Sequence, residues 1–260
     1  MKRLLFLAAL VAAPAAAQER DYCPERPGLN TPPCIIDKGR LSVETSLADW
    51  TLDRQGGDRD DQVLLGDTKL RLGLTDTVEA QLGWTPLGID RARNGGLVDR
   101  RARVGDVTLG VKANLRHPDG EGFSIALLPY ATLPVGRRPI GAGDWGAGVL
   151  LPISYALGDA VQLAATPELD AAMNEDGRGR HLAYSGTAGI GWKLTEALSL
   201  TGEGQVERDD DPGGHATHAL AAVSLAVQVG KDLQFDLFGA AGLNHDTPDV
   251  QLYGGVAARF

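Results

Sequence analysis

Fifteen charged residues occupy the polar positions of segments that alternate strictly between apolar and polar. They are Glu44, Asp67, Glu79, Asp106, Glu168, Asp170, Glu203, Glu207 and Asp236 against Arg40, Lys69, Arg71, Lys112, Lys193 and Arg259. Gathered on the inside of a closed wall, such groups either pair across neighbouring strands as a structural network or line a selective conduit. Both cases require partners, because an unpaired buried charge is expensive. Nine acids against six bases leave a negative excess that favours cations or polar neutral solutes in an open pore.

Hydrolytic chemistry is a rival reading. Esterolysis needs a nucleophile beside a base and oxyanion donors. His181 and Ser185 share a face but sit about 13 Å apart along a strand, and no residue near Ser154 supports it as a nucleophile. An outer-membrane lipid hydrolase is the least supported function, and no enzymatic activity is expected. His181, His215, His218 and His245 fall at strand ends without a fixed ligand spacing, so neither a metal nor any other cofactor is expected.

Two cysteines, Cys23 and Cys34, lie in a proline-rich stretch where an oxidising compartment permits a disulfide closing a short loop; two free thiols are the other reading. Pro24, Pro27, Pro32 and Pro33 deny ladder donors, so residues 18–38 do not read as a strand. They form either a plug in the lumen or a periplasmic loop or partner-binding stub. A second cluster is basic. Arg91, Arg93, Arg100, Arg101 and Arg103 crowd one loop and suit phosphate contacts with lipopolysaccharide at an outer rim, or screen neighbouring aspartates in water.

These residues need elements to position them. The start Met1-Lys2-Arg3, the apolar run 4–13 and the small residues before Gln18 form a secretory signal peptide expected at 1–17. No later run is apolar enough for a transmembrane helix. The net charge of −9 argues against nucleic acid as a partner. Strands of about 10 to 14 residues are expected near 40–53, 62–74, 78–87, 104–116, 123–133, 145–157, 161–173, 181–194, 198–208, 216–229, 233–244 and 249–260. Short turns such as Leu74-Thr75-Asp76-Thr77-Val78 and Leu157-Gly158-Asp159-Ala160-Val161 join them at one end. Longer loops at 54–61, 88–103, 134–144, 174–180, 209–215 and 245–248 join them at the other. The fold class is therefore all-β, a transmembrane antiparallel up-and-down β-barrel of about 12 strands over 39–260. The last strand ends in Phe260, the pattern through which the barrel assembly machinery engages such a chain.

The residues also carry a resemblance. Arg26-Pro27-Gly28-Leu29-Asn30-Thr31-Pro32-Pro33-Cys34, Asp37-Lys38-Gly39-Arg40, Leu47-Ala48-Asp49-Trp50, Trp84-Thr85-Pro86, Gly105 to Lys112, and Pro129-Tyr130 with Leu133-Pro134 resemble segments of the outer-membrane family named after the MetA pathway of phenol degradation. The resemblance implies an outer-membrane transporter of a small solute, with aromatic or other organic compounds as the class its name suggests. A non-conducting barrel that binds lipopolysaccharide or another partner is the alternative.

Overall fold

The computed structural model describes residues 19–260, so the leader expected at 1–17 lies outside the described residues. Sixteen strands form one antiparallel sheet: β1 (Leu41–Gln55), β2 (Asp58–Leu65), β3 (Thr68–Gly73), β4 (Val78–Trp84), β5 (Leu87–Asn94), β6 (Leu97–Arg103), β7 (Val107–Arg116), β8 (Phe123–Leu133), β9 (Gly146–Leu150), β10 (Ile153–Ala156), β11 (Val161–Met173), β12 (Arg180–Lys193), β13 (Leu198–Asp211), β14 (Gly214–Val229), β15 (Leu233–Gly242) and β16 (Val250–Arg259). Four consecutive pairs, β2 with β3, β4 with β5, β6 with β7 and β9 with β10, continue one another across a break. The wall is therefore a closed barrel of twelve staves.

Closure is made by the first and last strands. Ser42 lies opposite Arg259 and Leu52 opposite Val250. Leu41 and Phe260 exchange both backbone hydrogen bonds, at 3.1 and 2.8 Å. A sheet in lipid needs this seam, because an open edge would leave N–H and C=O groups without partners.

The burial pattern is inverted relative to a water-soluble protein. Leu115, Leu169, Val206, Val223, Leu237 and Leu252 are exposed, Leu237 at 65%, while the largest fully buried side chains include Arg71, Lys112, Glu44 and Glu79. A β-sandwich buries its apolar faces against each other. Here those faces point outward around the whole barrel, as contact with hydrocarbon demands.

Local chemistry explains the breaks. The expected strand 62–74 is interrupted at Gly66, whose φ of +68° suits glycine. The expected strand 145–157 breaks at Leu151-Pro152, since proline has no N–H for the ladder. The larger correction concerns 88–103, expected as a loop. It is mostly a paired hairpin, with Gly88 opposite Arg103 and Asn94 opposite Leu97. Both faces of that hairpin are charged, so no apolar alternation marks it in the sequence. β5 is paired along its length with β2, whereas β6 pairs only with β5 and is exposed throughout, so the sheet ends there in a free edge.

Twelve strands about 4.8 Å apart and tilted about 40° set the backbone walls roughly 24 Å apart, and inward side chains narrow this to about 14 Å. That width admits two passes of chain side by side. Both barrel termini and the turns 74–77, 117–122, 157–160, 194–197 and 230–232 lie at one end. At the other end the expected loops 54–61 and 209–215 are mostly strand, closed by two-residue turns at 56–57 and 212–213 as β5 and β6 are at 95–96, while 134–145, 174–179 and 243–249 are longer connections.

Candidate functional site

The lumen is defined by what fills it. Residues 19–38 rise along the inside from the short-turn end, reverse, and come back down. Near the rim, the Arg20 guanidinium donates to the Asp76 carbonyl at 2.8 Å, and Arg259 donates to the Arg20 carbonyl at 2.8 Å. Tyr22 then meets Ser42 at 2.6 Å, and the Glu25 N–H donates to Glu44 at 2.8 Å. On the way down, Lys112 and Asn114 donate to the carbonyls of Pro32 (3.1 Å) and Pro33 (2.8 Å), and the Ile36 N–H donates to Glu79 at 2.8 Å. Cys23 and Cys34 are joined by a disulfide with Cα atoms 6.4 Å apart, which closes the neck of this loop. Chain entropy alone makes such a closure worth about 3 kcal/mol. Reduction is therefore expected to leave the wall folded while protease cleavage within 19–38 accelerates, a change readable on a gel.

Charge registers the loop against the wall. Arg71, fully buried, donates to Glu79 at 2.8 Å and to Glu44 at 3.0 Å, and also to the carbonyls of Cys23 (2.8 Å) and Cys34 (3.2 Å). It thus grips both sides of the neck. Lys112, also fully buried, reaches Glu25 at 2.7 Å and Glu79 at 3.2 Å, and Lys69 pairs with Glu25 as well. On the wall alone, Lys69, Arg71 and Lys112 outnumber Glu44 and Glu79 by one. Glu25 supplies the missing negative charge. The next residue, Arg26, does the converse on the other side of the β1–β16 seam: its guanidinium makes two bonds to Asp236, at 3.0 and 2.8 Å, and lies 4.8 Å over the Tyr253 ring.

The tip of the loop, residues 28–31, reaches across to β11 and β13. The N–H groups of Leu29 (2.8 Å) and Asn30 (2.9 Å) and the Asn30 amide (2.8 Å) all donate to Glu203. The Thr31 N–H donates to Thr166 at 3.2 Å. Two glycines make room for it. A Cβ at Gly189 would sit 3.0 Å from the Asn30 amide, and one at Gly255 would collide with the Arg26 guanidinium. Beneath the tip, a cavity of about 610 Å³ opens at the short-turn end, lined among others by Tyr22, Gln162, Lys193, Thr201, Gln228 and Arg259. A smaller one of about 210 Å³ lies beside the tip, between Glu25, Asp49, Asp67, Lys69 and Tyr253.

The other half of the lumen is acidic. Glu168 stands in register with Ser185, and Ser185 with Glu207, which faces His218; Asp170 and Asp209 form the next row through Ala183. The Tyr130 hydroxyl binds both Glu168, at 2.9 Å, and Asp170. None of these four carboxylates touches a lysine or arginine among the described ion pairs. At the lip, backbone N–H groups of Gly213 and Glu175 hold the Asp211 carboxyl below the usual range, and the Trp145 N–H and then Arg180 do so for Asp144.

The inward residues expected from the sequence thus divide into groups. Glu44, Lys69, Arg71, Glu79, Lys112, Glu203 and Asp236 meet the 19–38 segment directly. Arg259, Arg40 and Lys193 lie at the short-turn mouth, where Arg259 binds Asp232 at 2.7 Å, Arg40 binds Glu19 at 3.1 Å and Lys193 binds Glu196 at 3.0 Å. Asp106 instead anchors a long connection through the N–H groups of Gly136 and Ala142, and Asp67 accepts from Thr85. Glu25, Asp209 and Tyr253 are not marked by the alternation, and Arg26 and Tyr130 appear there only within the segments of the resemblance. Adjacent opposite charges beside Cys23 were the available signal for Glu25 and Arg26. His181 contacts Asp209, Asp211 and Asn174, and the Ser185 hydroxyl donates to Glu168. Among the described residues no group of three metal-binding side chains converges.

The arginine cluster is split by the pleat. Arg91, Arg93 and Arg100 face outward, whereas Arg101 and Arg103 share the inner face with Asp90 and Gly88, their register partners.

Among known structures the chain is similar to the KdgM porin, with 11% identity over 84% of this chain and 99% of that one at a TM-score of 0.52. It is similar too to the NanC porin, with 9% identity over 84% and 98% at 0.51. Identities this low speak for the barrel fold alone. No curated protein matches the chain in sequence. The family model described as "Putative MetA-pathway of phenol degradation" matches residues 25–260, from the loop in the lumen to the closing strand, and the chain belongs to that family.

Proposed function

We propose that the chain is a passive outer-membrane channel for small cationic or polar neutral solutes, with residues 19–38 acting as a plug in its periplasmic half. One observation carries this reading. The buried basic residues of the wall are consumed by the plug and its neighbouring carboxylates, which leaves Glu168, Asp170, Glu207 and Asp209 as the dominant charges of the outer vestibule. A low-dielectric tube lined by one sign of charge concentrates the opposite sign and repels its own. A neutral phenol, un-ionised at pH 7 as tyrosine is, could enter such a mouth, whereas a carboxylate anion would be repelled.

The orientation rests on both barrel termini lying at one end, which in this architecture is the periplasmic side, and on the longest connection, 134–145, lying at the other. The expected cation preference can be read from the reversal potential across a planar bilayer under a salt gradient. Glu168→Gln combined with Asp170→Asn should move that potential toward zero, and the effect should shrink in high salt as screening shortens. An unchanged potential would remove the acidic vestibule as the selectivity element.

A second reading is supported by the plug itself. Its bonds to β1, β3, β4, β7, β11, β13, β15 and β16 fit a barrel that is closed at rest and serves as a surface platform. Silence of the full-length chain in bilayers, with no opening on removal of the plug, would favour it.

A further inference from the structure

We infer that the outward face of the sheet β1-β2-β5-β6, above the apolar band, is a binding surface for the phosphates of lipid A in the surrounding outer leaflet. Arg54 lies opposite Arg59 and Arg59 opposite Arg93, so three arginines form one cross-strand row. In the next row Arg91 lies opposite Arg100. All five are exposed. One carboxylate, Asp61, shares this face within those two rows, and it is held by Arg59 at 2.6 Å. Among the described residues Arg54, Arg91, Arg93 and Arg100 make no ion pair.

Like charges placed directly opposite on a sheet repel. A rigid surface that repeats this in two adjacent rows lacks counter-charge, and a polyanion supplies it. Guanidinium groups suit phosphate in particular, because their forked donors match its oxygens.

Height along the wall selects the source of that phosphate. Trp50, Val63 and Ile89 form the outward row just beneath, and the Trp50 indole N–H reaches up to Asp61 at 3.2 Å, as expected of a side chain at the lipid–water boundary. The two arginine rows lie two and four residues further along the strands. At about 3.3 Å per residue and about 40° of tilt they stand roughly 5 and 10 Å above that boundary. The headgroup layer on each side of a bilayer is about 5 to 8 Å thick. The Arg91–Arg100 row therefore lies within the headgroup layer and the Arg54–Arg59–Arg93 row about 2 to 5 Å above it, within the reach of an arginine side chain, at the barrel's flank and pointing away from the lumen.

The test uses the full-length protein in detergent, titrated with bis-phosphorylated lipid A, dephosphorylated lipid A and inorganic phosphate, with binding read by native mass spectrometry. Bis-phosphorylated lipid A should bind. Its Kd should rise about tenfold or more when Arg59→Gln, Arg91→Gln, Arg93→Gln and Arg100→Gln are combined, and stay unchanged with Arg101→Gln and Arg103→Gln on the inner face. Heat-modifiable gel migration shows that each variant remains folded. Equal binding of the dephosphorylated lipid, undiminished binding by the outward variant, or displacement by inorganic phosphate at comparable concentration would each overturn the assignment.

Discussion

A chain refolded without residues 1–38 should conduct severalfold more current per channel than the full-length chain in the same bilayer. The reason is geometric. The bare lumen is roughly 14 Å wide, and the loop crosses it from the Glu25 side, where it meets Lys69 and Lys112, to Glu203 and Thr166 on β13 and β11. Its removal joins the 610 Å³ cavity at the periplasmic mouth to the acidic vestibule above. The wall should survive the deletion. Its closure depends on β1 and β16, and the charges left without partners would face water rather than protein. Heat-modifiable migration and β-sheet circular dichroism establish that the shortened barrel is folded before any current is compared. Equal unitary conductance in the two proteins would rule out 19–38 as the constriction. A milder version of the test leaves the chain length alone: Glu203→Ala removes the acceptor of three bonds from the tip and should give intermittent opening of the full-length channel.

Glu25→Gln should release the loop almost as effectively as deleting it. The substitution is nearly isosteric, but it leaves Lys112 and Arg71 buried with one carboxylate fewer. Removing one partner of a buried ion cluster costs about 3 to 5 kcal/mol, a factor of about 150 to several thousand in the docking equilibrium. Lys69 is partly exposed and adds less. The change should appear as protease cleavage within 19–38 and as raised conductance, with the barrel intact. A second substitution separates lost charge balance from lost shape. Lys112→Met removes the stranded cation, so Glu25→Gln with Lys112→Met should restore much of the docking that Glu25→Gln alone destroys. Double-mutant coupling of this kind is expected for groups in direct contact. Additive losses, or cleavage of Glu25→Gln no faster than wild type, would show that charge balance does not hold the loop.

The wall was legible in the sequence because lipid enforces a period of two along every stave. Leu198, Leu200 and Val206 against Ser199, Thr201 and Glu207 declare one outward and one inward face without ambiguity. That rule weakens where lipid ends. Above the boundary the hairpin of β5 and β6 is paired as regularly as the rest, yet both its faces carry charge, and its residues therefore read as a loop. The inward charges were legible as residues but not as partners. Which of Arg71, Lys112 and Asp236 meets Glu25 or Arg26 depends on the path of a segment with no periodicity. Prolines and a disulfide replace periodicity there, and they say that the segment is compact without saying where it goes. Even the irregular turn at 117–122 illustrates the gap: the Ile35 N–H donates to the Pro118 carbonyl at 3.0 Å, a contact between two stretches with no pattern in common.

The disulfide at the neck of the loop also decides how the plug would respond to force. Tension applied from the periplasm at Glu19 first peels off the short run up to Cys23. There the covalent link passes the load to Cys34, on the other limb, so the segment between them cannot unzip residue by residue. Its contacts with Arg71, Asp236 and Glu203 are then loaded together, in shear. Because both limbs leave by the same mouth, nothing has to be threaded through the wall for the loop to come out. A cross-linked plug of this shape would leave as one unit, whereas the same residues with the cysteines reduced would fray one contact at a time.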